Sequence, residues 1–158
     1  IHLHSIIKSK KERDICYRKC SKKNFMKWLK RFGIALLVLP IILIIIFILY
    51  EIFGMCINRI ATREQTNTLQ MNLENEISDI EIISVYSETG NTSGTGNHVD
   101  CLSVIIFSTK MQEAQIENCM SKYYVFDGWD CYVNKTDDGY YKIYISTSAP
   151  FAGNIEGH

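Results

Sequence analysis

Nineteen consecutive uncharged residues, Phe32 to Tyr50, constrain this chain more than any other feature, and 15 of them are Phe, Ile, Leu or Val. At 1.5 Å of rise per residue such a helix extends about 28 Å, close to the ~30 Å hydrocarbon core of a bilayer. A helix apolar on every face cannot be surrounded by a domain of this size, so a membrane span is expected rather than a core helix. Pro40 falls inside the run, a defect that transmembrane helices tolerate.

Charge gives the expected direction. The formal net charge of the 158 residues is zero, yet residues 1–31 hold 11 Lys and Arg against two Asp and Glu, a net of +9. Residues 51–158 hold six against 15, a net of −9. Basic flanks stay in the cytoplasm, which places the amino end inside and the carboxyl region outside the plasma membrane. Trp28 and Tyr50 stand near the two ends of the run, where amphipathic rings favour the interface. A cleaved signal peptide fits less well: the run exceeds the usual h-region and no small-x-small site follows. Phe53-Gly54-Met55-Cys56 departs from a lipoprotein site, since Met55 is large and Phe53 aromatic. The expectation is an uncleaved single-pass signal-anchor.

The organisation expected is a basic cytoplasmic segment at 1–31, a transmembrane helix at 32–53, a polar helical stalk at 54–77 and an extracytoplasmic domain at 78–158. Met26 opens Met26-Lys27-Trp28-Leu29-Lys30-Arg31-Phe32, which reads as a natural start directly before an anchor, so that 1–25 are expected to fall outside the mature protein. The basic cluster can lie on anionic lipid. It is too short for a nucleic-acid recognition fold, so no nucleic-acid partner is expected. Cys16-x3-Cys20 lacks a second pair to complete a zinc site, with His2 and His4 unsuitably spaced. In the stalk, Ile57, Ala61, Gln65, Leu69, Leu73 and Ile77 follow at four-residue steps, which drift around a helix and make no lasting coiled-coil seam.

From Ser78 the period changes. Ile80–Tyr86 and Leu102–Phe107 are short β-branched runs that read as strands. Lys110–Lys122 reads as a helix capped by Thr109, with Ile116, Cys119, Met120 and Tyr123 on one stripe. Cys131–Asn134 and Tyr140–Ile145 flank an Asp138-Gly139 turn and read as a hairpin. The order β-β-α-β-β predicts an α+β domain, one helix packed on an antiparallel sheet.

Three constellations are candidates for function. Gly94, Gly96 and Asn97 lie in a long loop whose amides can form an anion-binding nest, although the dinucleotide fingerprint fails. His98 and Asp100 share a face of an extended segment and with His158 can supply three ligands to a metal, or Asp100 can orient His98 as a base. Trp129, Tyr132, Tyr140 and Tyr144 enrich the last hairpin in aromatics, which stabilise a sheet or bind sugar rings or protein. Cys56, Cys101, Cys119 and Cys131 allow three connectivities and the sequence chooses none; Cys101 with Cys131 is the candidate disulfide, as neighbours on adjacent strands.

No Ser-His-Asp set, paired-acid motif or H-E-x-x-H supports an enzyme, and no cofactor is called for. By composition alone, the Ile, Lys and Asn usage resembles that of small envelope proteins of low-GC bacteria. The function expected is display of a small outer domain for binding or assembly, with an envelope protein or cell-wall glycan as partner besides the lipid bilayer. The alternative is a membrane-tethered metal-dependent hydrolase using His98, Asp100 and His158.

Overall fold

The computed structural model describes residues 2–94 and 96–158, with side chains from Phe25 onward. Cys16, Cys20, His2 and His4 therefore lie outside the described side chains. The chain forms two compact units, Ile1–Ile48 and Leu49–His158.

The first unit is helical. It belongs to α1, which runs His2–Glu76 and contains Pro40. Within Phe25–Glu76 one window is long and apolar enough to cross a membrane, and none of that window is buried by protein. Unburied Leu37, Leu43 and Phe47 on several faces distinguish it from a core helix.

The second unit is a two-layer α+β fold. Strands β1 (Glu81–Gly90), β2 (Asp100–Ser108), β3 (Cys131–Lys135) and β4 (Tyr141–Ser148) form one antiparallel sheet in the order β1-β2-β4-β3. Helix α2 (Glu113–Met120) lies between β2 and β3 in sequence, and a 3-10 turn (Ile155–Gly157) follows β4. The order β-β-α-β-β is as expected, and Gly139 takes φ +87° in the β3–β4 turn, the left-handed geometry expected of Asp-Gly.

The stalk expectation is overturned. Residues 54–77 are not a spacer but the main helical layer of the domain: Leu69, Leu73 and Ile77 are fully buried in one cluster with Ile105, Phe107, Ile143 and Ile145. At Leu69, Leu73 and Ile77 the four-residue steps mark this stripe, and its amino-terminal half is polar. Gly54, Asn58, Thr62 and Thr66 are buried there, the first two beneath Phe151 of the tail and the threonines on the sheet. Hydroxyls and amides replace apolar packing: Thr66 Oγ1 lies 2.7 Å from Ser103 Oγ, and Thr62 Oγ1 lies 2.7 Å from Thr89 Oγ1. Gln65 Nε2 donates to Cys101 O at 2.9 Å.

Helix α2 is shorter than expected and starts after Gln112, whose N–H is taken by Gln115 Oε1 at 2.8 Å. Thr109 does not cap it; its hydroxyl donates to Asp79 Oδ1 at 2.8 Å, while Lys110 N–H donates to Asp79 Oδ2 at 2.9 Å. Asp79 thus holds the β2–α2 loop extended and delays the helix. Of the expected stripe, Ile116 and Met120 are fully buried, Cys119 is half-buried, and Tyr123 lies beyond the helix with its hydroxyl donating to Glu76 Oε1.

Candidate functional site

Strand alternation divides the sheet into two faces. Cys101, Ser103, Ile105 and Phe107 of β2 face the helices, with Cys131, Val133, Ile143 and Ile145. Both helices bury their stripes on that face. Among the described residues of this unit no helix packs on the opposite face, and the register aligns one row straight across all four strands: Tyr86 on β1, Val104 on β2, Tyr144 on β4 and Tyr132 on β3. Ile106 and Leu102 flank Val104 along β2.

Tyr132 and Tyr144 are opposite one another in the ladder and stack, with ring centroids 4.7 Å apart and planes within 13°. Lys142 Nζ lies 5.3 Å from the Tyr132 ring centroid. Tyr132 and Tyr144 thus each give one ring face to the other, and Lys142 adds a cation beside Tyr132. At the β1 end Tyr86 is half exposed and its hydroxyl donates to Glu88. That carboxylate holds the phenol proton and raises the Tyr86 pKa above its ordinary value.

Other expected aromatics stand apart from this row. Tyr140 precedes β4 and its carbonyl accepts from Thr136 N–H at 2.8 Å, closing the hairpin turn. Trp129 is 84% exposed. Its backbone belongs to a tight cap: Asp127 Oδ1 accepts from the N–H groups of Trp129, Asp130 and Cys131 at 2.9, 2.9 and 3.0 Å. These backbone donors, Cys131 first, hold Asp127 below the usual carboxylate range.

His98 and Asp100 are brought together, with Nε2 and Oδ1 2.9 Å apart and Asp100 buried. The other oxygen of Asp100 accepts from Thr92 Oγ1 and Ser93 N–H, each at 3.3 Å. Gly94 and Gly96 take φ +66° and +76°, so the loop curls left-handed as its composition predicts. One amide of the loop, Ser93 N–H, is taken by the chain's own Asp100, and Asn97 is exposed at the loop surface. Asn91 Nδ2 reaches Gly96 O at 2.7 Å and Gly157 O at 3.3 Å, tying loop to tail.

The three-ligand metal site is not assembled. No group of three or more His, Cys, Asp and Glu placed to hold a metal occurs among the described residues, so His158 does not complete a set with His98 and Asp100. His158 is exposed beyond the 3-10 turn, and Asp100 serves as the loop's internal anchor.

The disulfide expectation is also corrected. Cys101 pairs in register with Thr147 and Cys131 with Ile145, both on β4, which lies between their strands. Two strand spacings separate them, about 9–10 Å, beyond the reach of a disulfide. Both are free and buried. Burial first, then the Asp127 and Glu117 charges, pushes the Cys131 thiol up to about 11, an unreactive thiol at neutral pH.

Tyr86, Leu102, Val104 and Ile106 were not expected as site residues. For Leu102, Val104 and Ile106 the signal lies in β2, where Leu102-Ser103-Val104-Ile105-Ile106-Phe107 carries apolar residues on both parities, as a strand does when both its faces are apolar. Compared with known proteins, the chain matches no family model, no curated protein and no solved structure.

Proposed function

We propose that this chain is a single-pass protein of the plasma membrane, amino end in the cytoplasm, which presents the Leu49–His158 unit outside to bind a second protein of the cell envelope. The apolar helix and the +9/−9 division of charge support the anchor and its direction. The observation that carries the binding role is the helix-free Tyr86–Val104–Tyr144–Tyr132 row. Aromatic residues backed by a rigid sheet are the usual anchors of protein interfaces. A protein is favoured over a glycan because Tyr132 and Tyr144 each give one ring face to the other and the row includes the aliphatic Val104, a surface suited to apolar side chains.

Two measurements test this. A reporter enzyme active only outside the cytoplasm, fused after His158, is expected to be active; inactivity refutes the orientation. A photo-crosslinking residue at Val104 is expected to capture a discrete envelope protein, with the adduct lost in Tyr144→Ala and absent from a probe at Glu113 on α2. Equal capture from both positions, or none from Val104, refutes the binding face.

A further inference from the structure

The last nine residues return to the helix where the apolar run ends. Glu51, the first charged residue after that run, is capped from the tail twice: Asn154 Nδ2 donates to its carbonyl at 2.8 Å and Ile155 N–H to its Oε2 at 2.9 Å. Phe151 meets Tyr50 and Phe53 edge-on, each at 5.8 Å between ring centroids. Gly54 is buried beneath this contact, where a Cβ would come within 2.7 Å of Asn154 Nδ2 and 3.3 Å of Phe151.

Polar groups of the tail are largely consumed internally. Asn58 takes both backbone groups of Phe151, Asn154 Oδ1 accepts from Glu156 N–H, and Glu156 pairs with Arg59 at 3.2 Å. The same end of the unit exposes Tyr50 56%, Ile52 51%, Phe53 56% and Ile155 57%, beside the exposed Arg59 that pairs with Glu156. The first four lie within about one helical turn of Tyr50 along the chain, or are tied by hydrogen bond to Glu51.

We propose that this cluster is a membrane seat: Ile155 and Phe151 enter the interfacial layer of the outer leaflet beside Tyr50 and Phe53. The occupant is lipid. A span ending at Tyr50 leaves Glu51 at the headgroup level, and the tail pinned to Glu51 is held at the same depth. Aromatic and aliphatic groups partition to that layer. The proposal rests on Phe32–Tyr50 crossing a bilayer, and its consequence is a domain set directly on the membrane, without a spacer.

The test uses the full chain carrying Trp28→Phe and Trp129→Phe, reconstituted in phosphatidylcholine vesicles brominated near the headgroup end of the acyl chains. A single tryptophan is then placed at Tyr50, Ile155 or Tyr123, the last beside Glu76 at the far end of the helix. Ile155→Trp is expected to lose emission to a degree comparable with Tyr50→Trp, and Tyr123→Trp to lose none. Quenching of Tyr50→Trp without quenching of Ile155→Trp overturns the seat while leaving the span intact. Absence of quenching at Tyr50→Trp overturns the span and the seat together. Chymotrypsin resistance of the tail in Ile155→Trp, matching the parent, establishes that the clasp is still docked when emission is read.

Discussion

Asn58 and Phe151 are joined as a peptide pair would be: the Asn58 amide donates to Phe151 O at 3.1 Å and accepts from Phe151 N–H at 2.9 Å. Asn58 is fully buried. One side chain thus satisfies both backbone groups of a tail residue that has no ladder partner. Asn58→Ala leaves the Phe151 N–H without a partner, while Phe151 O keeps the Asn154 N–H at 3.1 Å, and at about 1–3 kcal/mol per unsatisfied buried group a loss of roughly 1–3 kcal/mol is expected. Urea unfolding in detergent, with chymotrypsin cleavage at Phe151, measures it; an unchanged midpoint with a protected tail refutes this role.

Thr66 and Ser103 are a buried hydroxyl pair between helix and central strand. Thr66→Val leaves Ser103 with one fewer partner and is expected to cost about 1–2 kcal/mol. Adding Ser103→Ala is expected to cost less than the two single losses summed, because a pair made apolar together leaves nothing unpaired. A double-mutant cycle that sums additively would show that the hydroxyls act independently.

Stability is expected to fall on the acid side. Asp79 and Asp127 are held below the usual carboxylate range, chiefly by the Lys110 and Cys131 backbone N–H groups respectively, and so is Glu76, by Lys122 and then Tyr123. Lowered carboxylates stabilise above their unfolded pKa, and that contribution disappears as pH drops through the folded values. The unfolding midpoint is expected to be flat in these groups from pH 7 to about 5 and to decline below about 4. Asp127→Asn is expected to be less stable near neutrality and to show a shallower acid decline; an identical profile would remove Asp127 as a contributor.

Thiol chemistry distinguishes the four described cysteines. In a Cys16→Ser, Cys20→Ser background, maleimide is expected to label exposed Cys56 first, with Cys101 and Cys131 labelled only after unfolding. Reductant is expected not to change the thiol count of the unfolded chain. An extra pair of thiols released by reduction would show that Cys101 and Cys131, or another pair, had joined.

How much of this was legible in the residues follows from what local pattern encodes. The strands and the hairpin were readable because β-branched runs and Asp138-Gly139 are local signals. The helical layer was misread at Asn58, Thr62 and Thr66 because a stripe of polar residues looks solvated until a strand supplies partners such as Ser103 and Thr89. The Cys101–Cys131 pairing failed for a topological reason: β4, last in sequence, enters between β2 and β3. Half of the candidate face was visible, as Tyr132 and Tyr144; Tyr86 and Val104 joined it only through register.

By itself the sequence determined the uncharged run, the opposed charges on its two sides and the order of strands and helix, because each depends on neighbours along the chain. Tertiary structure alone decided that residues 54–77 roof the sheet, that His98 and Asp100 close a loop without a third ligand, and that four side chains from four strands share one uncovered row. Those outcomes depend on which distant backbone supplies a hydrogen-bond partner and on which strand lies beside which, and no local period carries that information.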